Sequence, residues 1–386
     1  MSRISRLVLA LLCTAGLIAG LGSLTVESAA QDKAVDKKKK KKDPPKTEDK
    51  KDEKDKKEEK KEEKKEPFKA DPAAIEFKGH TSWVFALAFD ADGKTVASAS
   101  RDLTVKIWDL AAKKEIQMLK GHPTETRGVA FFKDQLLVTT GKWSKEKKAW
   151  EGEIKVWDAK VGKEAKSIKG HSATIESLAR SKDGNLFATA SEDQTVKIWD
   201  IAAGKDTQTI KGHTDKVTSV AFSSDGKSVV TTSSDRTVRV WDVAGAKELA
   251  LFKVDRVVKV NDAKGKESEV KELGRAFTCA LFTKDNKSII TGNLDGAIKI
   301  YDIEGKKELK ELKAHEGVWA LALSPDGSKF ATGGWDQTIK IWDTDGKELK
   351  TIKAHLGTVT ALAFSPDGQW LASGSIDGLV KIWSVK

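Results

Sequence analysis

The sequence predicts an all-β domain of seven tandem units over residues 71–386, and three features predict it. A tripeptide of the IWD type closes each unit, at Trp108, Trp157, Trp199, Trp241, Tyr301, Trp342 and Trp383. Most successive distances are 41 or 42 residues, with 49 into the second unit and 60 into the fifth. GH or AH opens six units, and these positions hold all 6 histidines of the chain: His80, His122, His171, His213, His315 and His355. Inside the units apolar and polar residues alternate with the period of a strand. In TVKIWD, Val105 and Ile107 face one side while Lys106 and Trp108 face the other. Turn signals such as DADG, SSDG and SPDG recur at short spacing, and helical periodicity is absent.

Ahead of the repeats come two segments of other composition. Residues 1–30 carry Arg3 and Arg6, then a long apolar run, then Ser28, Ala29 and Ala30. That order predicts a bacterial-type signal peptide cleaved after Ala30, hence an exported protein of the periplasm, cell envelope or medium. Left uncleaved, residues 7–26 would reach across a bilayer and contact the membrane. Cys13 follows Leu12 rather than a small residue, so lipid attachment there is not expected. Lys33 and the run Lys37 to Lys42 oppose export, because clustered lysines prefer the cytoplasmic side. They keep open an anchor with the repeat domain in the cytoplasm.

Residues 31–70 are nearly all Lys, Glu and Asp and have too little to bury to offset the entropy of ordering. They read as a disordered charged linker, with EEKKEEKK able to form transient coiled-coil-like helix through neighbours three and four apart. The alternative is a tether to an anionic polymer, lipid or nucleic acid. The net charge of +11 does not decide between them, because acidic residues interleave with the lysines of this tail. No nucleic-acid partner is expected without a basic stripe carrying aromatics. After cleavage Cys279 would be the sole thiol, so no internal disulfide supports the fold.

The repeats supply their own closure. Every GH follows a short strand-like segment, as in KEIQMLKGH, and the last unit ends at KIWSVK without one. The first GH is preceded by an orphan copy, PAAIEFKGH. Pairing of about 74–78 beside Val380 to Trp383 would close a ring and leave no long open edge.

With GH at one end and WD at the other, residues 73–386 resemble the WD-repeat β-propeller family. The resemblance implies seven blades of four antiparallel strands around a channel. It also implies a hydrogen-bonded tetrad within each blade: His80, Ser98, Asp102 and Trp108; His171, Thr189, Asp193 and Trp199; His213, Thr231, Asp235 and Trp241; His315, Thr332, Asp336 and Trp342; His355, Ser373, Asp377 and Trp383. Histidines spread one per blade cannot converge on a metal, so no metal or cofactor is expected. Two units depart. The second has Glu151 where Asp belongs, after the insertion 142–151. The fifth has Tyr301 for Trp, no His, and the insertion 256–273, where a small hairpin fits.

No phosphate loop, HExxH, G-x-S-x-G or cysteine cluster is present, so the protein reads as a non-enzyme. An enzyme with a central-channel site remains the distant alternative. The resemblance puts the His loops and tetrad-Asp turns on one rim, the top. Blades six, seven, one and two furnish that rim with Trp319, Trp335, Ile376, Trp83, Phe85, Arg101 and Arg127, types favoured at interface hot spots. Trp143 and Trp150 of the second-blade insertion lie beside them; one packing inward and one exposed is the expected arrangement, either to bind or to cap. The expected function is a monomeric, non-catalytic scaffold binding a protein or peptide on its top face.

Overall fold

The computed structural model describes residues 69–385 apart from 254 and 262–266, and only the backbone of 254–273. The signal peptide and nearly all of the charged linker expected over 1–70 lie outside the described residues. The described chain contains strands and no helix, and none of it is a helix able to cross a membrane.

Seven sheets of four antiparallel strands follow one another in chain order. Blade one is Val84–Phe89, Thr95–Ser100, Val105–Asp109 and Lys114–Leu119, each paired with the next. Blade seven takes its outer strand from the other end of the domain: Ile75–Phe77 pairs with Val380–Ser384 through Ile75↔Ile382, Glu76↔Lys381 and Phe77↔Val380. The orphan segment therefore closes the ring as the sequence predicts, and the last blade keeps no long unpaired edge. In blade five the insertion forms a separate two-stranded ribbon, Asp255–Asn261 with Glu267–Leu273.

The strand period explains the cores. One face of a blade presents short aliphatic residues, and the other presents the closing Trp to the preceding blade. Between blades one and two, Ala97, Ala99, Val105, Ile107 and Leu119 meet Leu136, Val138 and Trp157. The same arrangement seats Trp199, Trp241, Trp342 and Trp383 at four further junctions. Trp108 joins the first blade to the clasp strand, lying on Phe77 with centroids 5.0 Å apart. Tyr301 fills the position in blade five against Phe252 and Phe277. Each buried ring contributes on the order of 3 kcal/mol of transfer free energy, so the seven junctions together bind the ring by side-chain packing rather than by backbone pairing.

Candidate partner-binding face

Tetrads set the rim. In blade one the Trp108 indole N–H donates to Ser98 Oγ at 2.8 Å, and Ser98 Oγ lies 2.7 Å from His80 Nε2. An indole can only donate, so the hydroxyl proton goes to Nε2 and the ring carries its own proton on Nδ1. That N–H points at Asp102 Oδ2, 2.8 Å away. The same chain runs through His171, Thr189, Asp193 and Trp199, and through His213, Thr231, Asp235 and Trp241. It recurs through His315, Thr332, Asp336 and Trp342, and through His355, Ser373, Asp377 and Trp383. Burial alone would raise the Asp102, Asp193 and Asp235 carboxyls. Hydrogen bonds from the histidine, from a threonine and from the N–H after the histidine outweigh it and hold them well below the usual range. These groups are occupied with one another, which accounts for their burial. Cys279 is equally inert, its thiol pushed up to about 11 by burial.

Two backbone devices turn that frame into a surface. In six blades the inner strand breaks register near its start, between Val84/Ala86, Ile175/Ser177, Val217/Ser219, Phe277/Cys279, Val318/Ala320 and Val359/Ala361. The residues carried on these bulges are Phe85, Glu176, Thr218, Thr278, Trp319 and Thr360, and a bulge re-aims its side chain. The residue before the tetrad Asp is then tied by its N–H to the carbonyl just ahead of the inner strand: Arg101 to Trp83 at 2.9 Å, Trp335 to Gly317 at 3.0 Å, Ile376 to Thr358 at 3.1 Å. Each of these six blades thus offers the rim a bulge residue and a turn residue held beside the start of the inner strand, and blade two offers neither.

The furnishing divides the rim. In blade six Trp319 and Trp335 are half-buried with ring centroids 6.2 Å apart, and the Trp335 ring lies over Gly317, where a Cβ would come within 2.8 Å of it. In blade seven Ile376 is half-buried on Gly357. In blade one Trp83 and Phe85 meet edge-on at 6.0 Å. Arg101 and Arg127 lie over Trp83 and Phe85 at 5.0 and 4.9 Å, but both are also ion-paired. Arg101 binds Glu125 at 2.8 Å, and Arg127 binds Glu125 at 2.9 Å and Glu176 at 2.7 Å. Glu176 continues this network toward Glu192; burial, offset in part by Arg127, raises its carboxyl above the usual range. Blades one to three therefore carry a self-satisfied charged network, blades six and one carry the aromatics, and blade seven between them carries Ile376.

A model of the WD domain, G-beta repeat matches residues 73–109, 162–200, 204–242, 306–343 and 346–384, the five blades with complete tetrads. The chain is a WD40-repeat propeller. Among curated relatives it is similar to a "Probable E3 ubiquitin ligase complex SCF subunit sconB" of Talaromyces stipitatus, 41% identical over 59 residues, 15% of this chain and 9% of that protein. The protein of the same description from Arthroderma otae is 48% identical over 52 residues, 14% of this chain and 8% of its own. The match spans less than a tenth of these relatives' length. They are named as subunits of an SCF ubiquitin ligase complex, which overturns the expected export. A physical reason lies in Lys33 and the run Lys37 to Lys42 beyond the apolar stretch, since clustered lysines prefer the cytoplasmic side.

The two blades that the WD40 model passes over differ from the rest for visible reasons. In blade two the strands Gln135–Ser144 and Ala149–Asp158 pair past the point where the other blades turn, through Gly141↔Gly152, Lys142↔Glu151 and Trp143↔Trp150. Glu151 is bound to Lys147 at 2.7 Å, so it does not supply the missing Asp. His122 Nδ1 and Nε2, Thr139 Oγ1 and Trp157 Nε1 are all buried without a hydrogen-bond partner among the described residues. Burial and the nearby Lys155 push the His122 imidazole down to about 4. The expected arrangement of the tryptophans is also corrected. Trp143 and Trp150 are 47% and 43% exposed and lie against each other at 5.5 Å, because residues directly opposite in an antiparallel pair share one side.

Sequence reasoning missed three features of the WD40 propeller. Glu176 stands five residues after His171, the spacing that marks Phe85 after His80, but a lone Glu carries no hot-spot signal. Thr360, placed on the rim by the same spacing, is buried and donates to the Val84 carbonyl, with the Gly374 carbonyl of its own blade 3.2 Å away, pinning blade seven to blade one. Finally, a cation two residues before the closing Trp is bridged to an acid on the outer strand in every blade, as in Lys106–Glu115, Lys155–Glu164 and Arg239–Glu248. Pairing across strands is invisible until register is known.

Proposed function

We propose that this WD40 propeller is a non-catalytic scaffold that binds a protein or peptide on its top face, with Trp319, Trp335, Ile376, Trp83 and Phe85 as the contact. One observation carries the reading: half-buried aromatics stand on bulge and turn positions of blades six and one, with the half-buried Ile376 on the turn of blade seven between them. Side chains placed there are rigid and amphipathic and have area left to bury, which suits interface hot spots. Arg101 and Arg127 are assigned a supporting role, since Glu125 and Glu176 already neutralise them. The relatives named as subunits of an SCF ubiquitin ligase complex fit a role inside a protein assembly.

Cross-linking capture from whole-cell extract with the intact chain and with Trp319→Ala/Trp335→Ala tests the reading. The double variant is expected to lose its captured partner by tenfold or more, about 1.4 kcal/mol or above, with an unchanged melting temperature. Undiminished capture would overturn it.

A further inference from the structure

The ribbon of blade two is left unused by the top-face aromatics. It projects beyond its sheet through the pairs Lys142↔Glu151, Trp143↔Trp150 and Ser144↔Ala149. Its two indoles touch each other and remain nearly half exposed. Aromatic area of this kind contributes little to the fold and is the sort that an interface buries. At the base of the ribbon lies a cleft of about 740 Å³ walled by Pro123, Lys142, Trp143, Glu153, Lys155 and Lys169.

Charge selects the occupant. Within the walls Lys155 is held by Glu164 at 2.6 Å, and on the ribbon Lys147 is held by Glu151 at 2.7 Å. Lys142, Lys145, Lys148 and Lys169 are exposed and make no ion pair among the described residues. Cations without partners thus flank the indole pair on the ribbon and in the cleft. Glu146, Glu151, Glu153 and Glu164 are interspersed among them. A continuous polyanion or an anionic lipid sheet would also be set against the exposed carboxylates of this surface, such as Glu146. A peptide can set single carboxylates between them. Behind the cleft, His122 sits in the chain between Gly121 and Pro123, both wall residues, with its ring nitrogens unpartnered.

We propose that the ribbon and cleft form a second docking surface, independent of the top-face contact, for an acidic peptide: an extended segment with Asp or Glu beside an apolar residue. The apolar side chain packs on Trp143 and Trp150, and the carboxylates reach Lys142 and Lys169. A labelled Glu/Leu peptide, titrated into the full chain and followed by fluorescence anisotropy, is expected to bind about tenfold tighter than its Lys/Leu counterpart. Trp143→Ala/Trp150→Ala is expected to weaken it about tenfold. Lys142→Ala/Lys169→Ala should weaken it several-fold and flatten its salt dependence. Trp319→Ala/Trp335→Ala should leave it unchanged, which separates this site from the top face. Melting curves of each variant show that the fold is intact. Equal binding of the two peptides, or no loss in the ribbon variants, overturns the proposal. So does tighter Trp143- and Trp150-dependent capture of phosphatidylserine vesicles or of oligothymidylate, which would assign the ribbon to a membrane or a nucleic acid.

Discussion

Histidines 171 and 122 occupy the same position in adjacent blades and have opposite energetic standing. His171 links Thr189 to Asp193, so removing it strands a buried hydroxyl and a carboxylate. His171→Leu is expected to cost about 2–4 kcal/mol, because leaving partners unsatisfied costs more than the bond itself contributes. His122 has no partner to strand. His122→Leu removes two buried unpaired nitrogens and is expected to be neutral or stabilising in urea unfolding. If the two variants lose equal stability, the His122 ring is satisfied in solution by a group that the described residues do not show.

Strand pairing decides what becomes of a turn. In blade three the turn after Thr189 is Ser191–Thr195, where Asp193 caps its own turn through the Thr195 N–H and hydroxyl. In blade two pairing runs on through Gly141↔Gly152, and the tetrad loses its carboxylate. Replacing residues 141–153 with Ser-Glu-Asp-Gln-Thr copies the spacing of blade three between Thr139 and Trp157. That graft should return an acceptor to His122 and recover about 1–2 kcal/mol, although Pro123 has no N–H for the new Asp. The expected readout is a rise in melting temperature together with loss of acidic-peptide binding. A fall would mean that the ribbon caps its own blade. Of these elements, the sequence showed the insertion and its two tryptophans. It did not show that they are directly opposite, because register within an inserted hairpin is set by pairing that composition does not encode.

Across the whole ring, the tetrads give stability a common pH dependence. The carboxyls of Asp102, Asp193, Asp235, Asp336 and Asp377 are held below their unfolded value, which is about 3.9. Their contribution is complete above that value and is lost as pH falls toward the folded values, since the unfolded chain then takes up protons that the folded one does not. His122 and His355 are also lowered, burial coming first in both, and His122 reaches about 4. An unfolded imidazole titrates near 6.5, so both remove stability earlier, as pH falls below about 6.5, and His122 goes on doing so until about 4. Melting temperature is expected to decline gently over that window and steeply below it. His122→Leu should flatten the first part. A profile level down to pH 4 in the parent chain would contradict the assignment.

The sequence by itself determined the blade count, the strand order and the clasp. Each rests on a local repeat: GH and WD recur at a regular period, their resemblance to the WD-repeat family implies four strands per unit, and the orphan strand before His80 matches the one missing after Trp383. It also marked Trp319, Trp335, Ile376, Trp83 and Phe85, because position within a repeat fixes position on the rim. Which side chains on that rim remain free was decided by the tertiary structure alone. Arg101 is consumed by Glu125 of the following blade and Arg127 by Glu125 beside it and by Glu176 of blade three, Thr360 is spent on a pin between blades, and both ribbon indoles face water. The inter-blade contacts depend on partners that are distant in the chain and come together only when the blades pack, and the indole pair depends on hairpin register, neither of which a local pattern records.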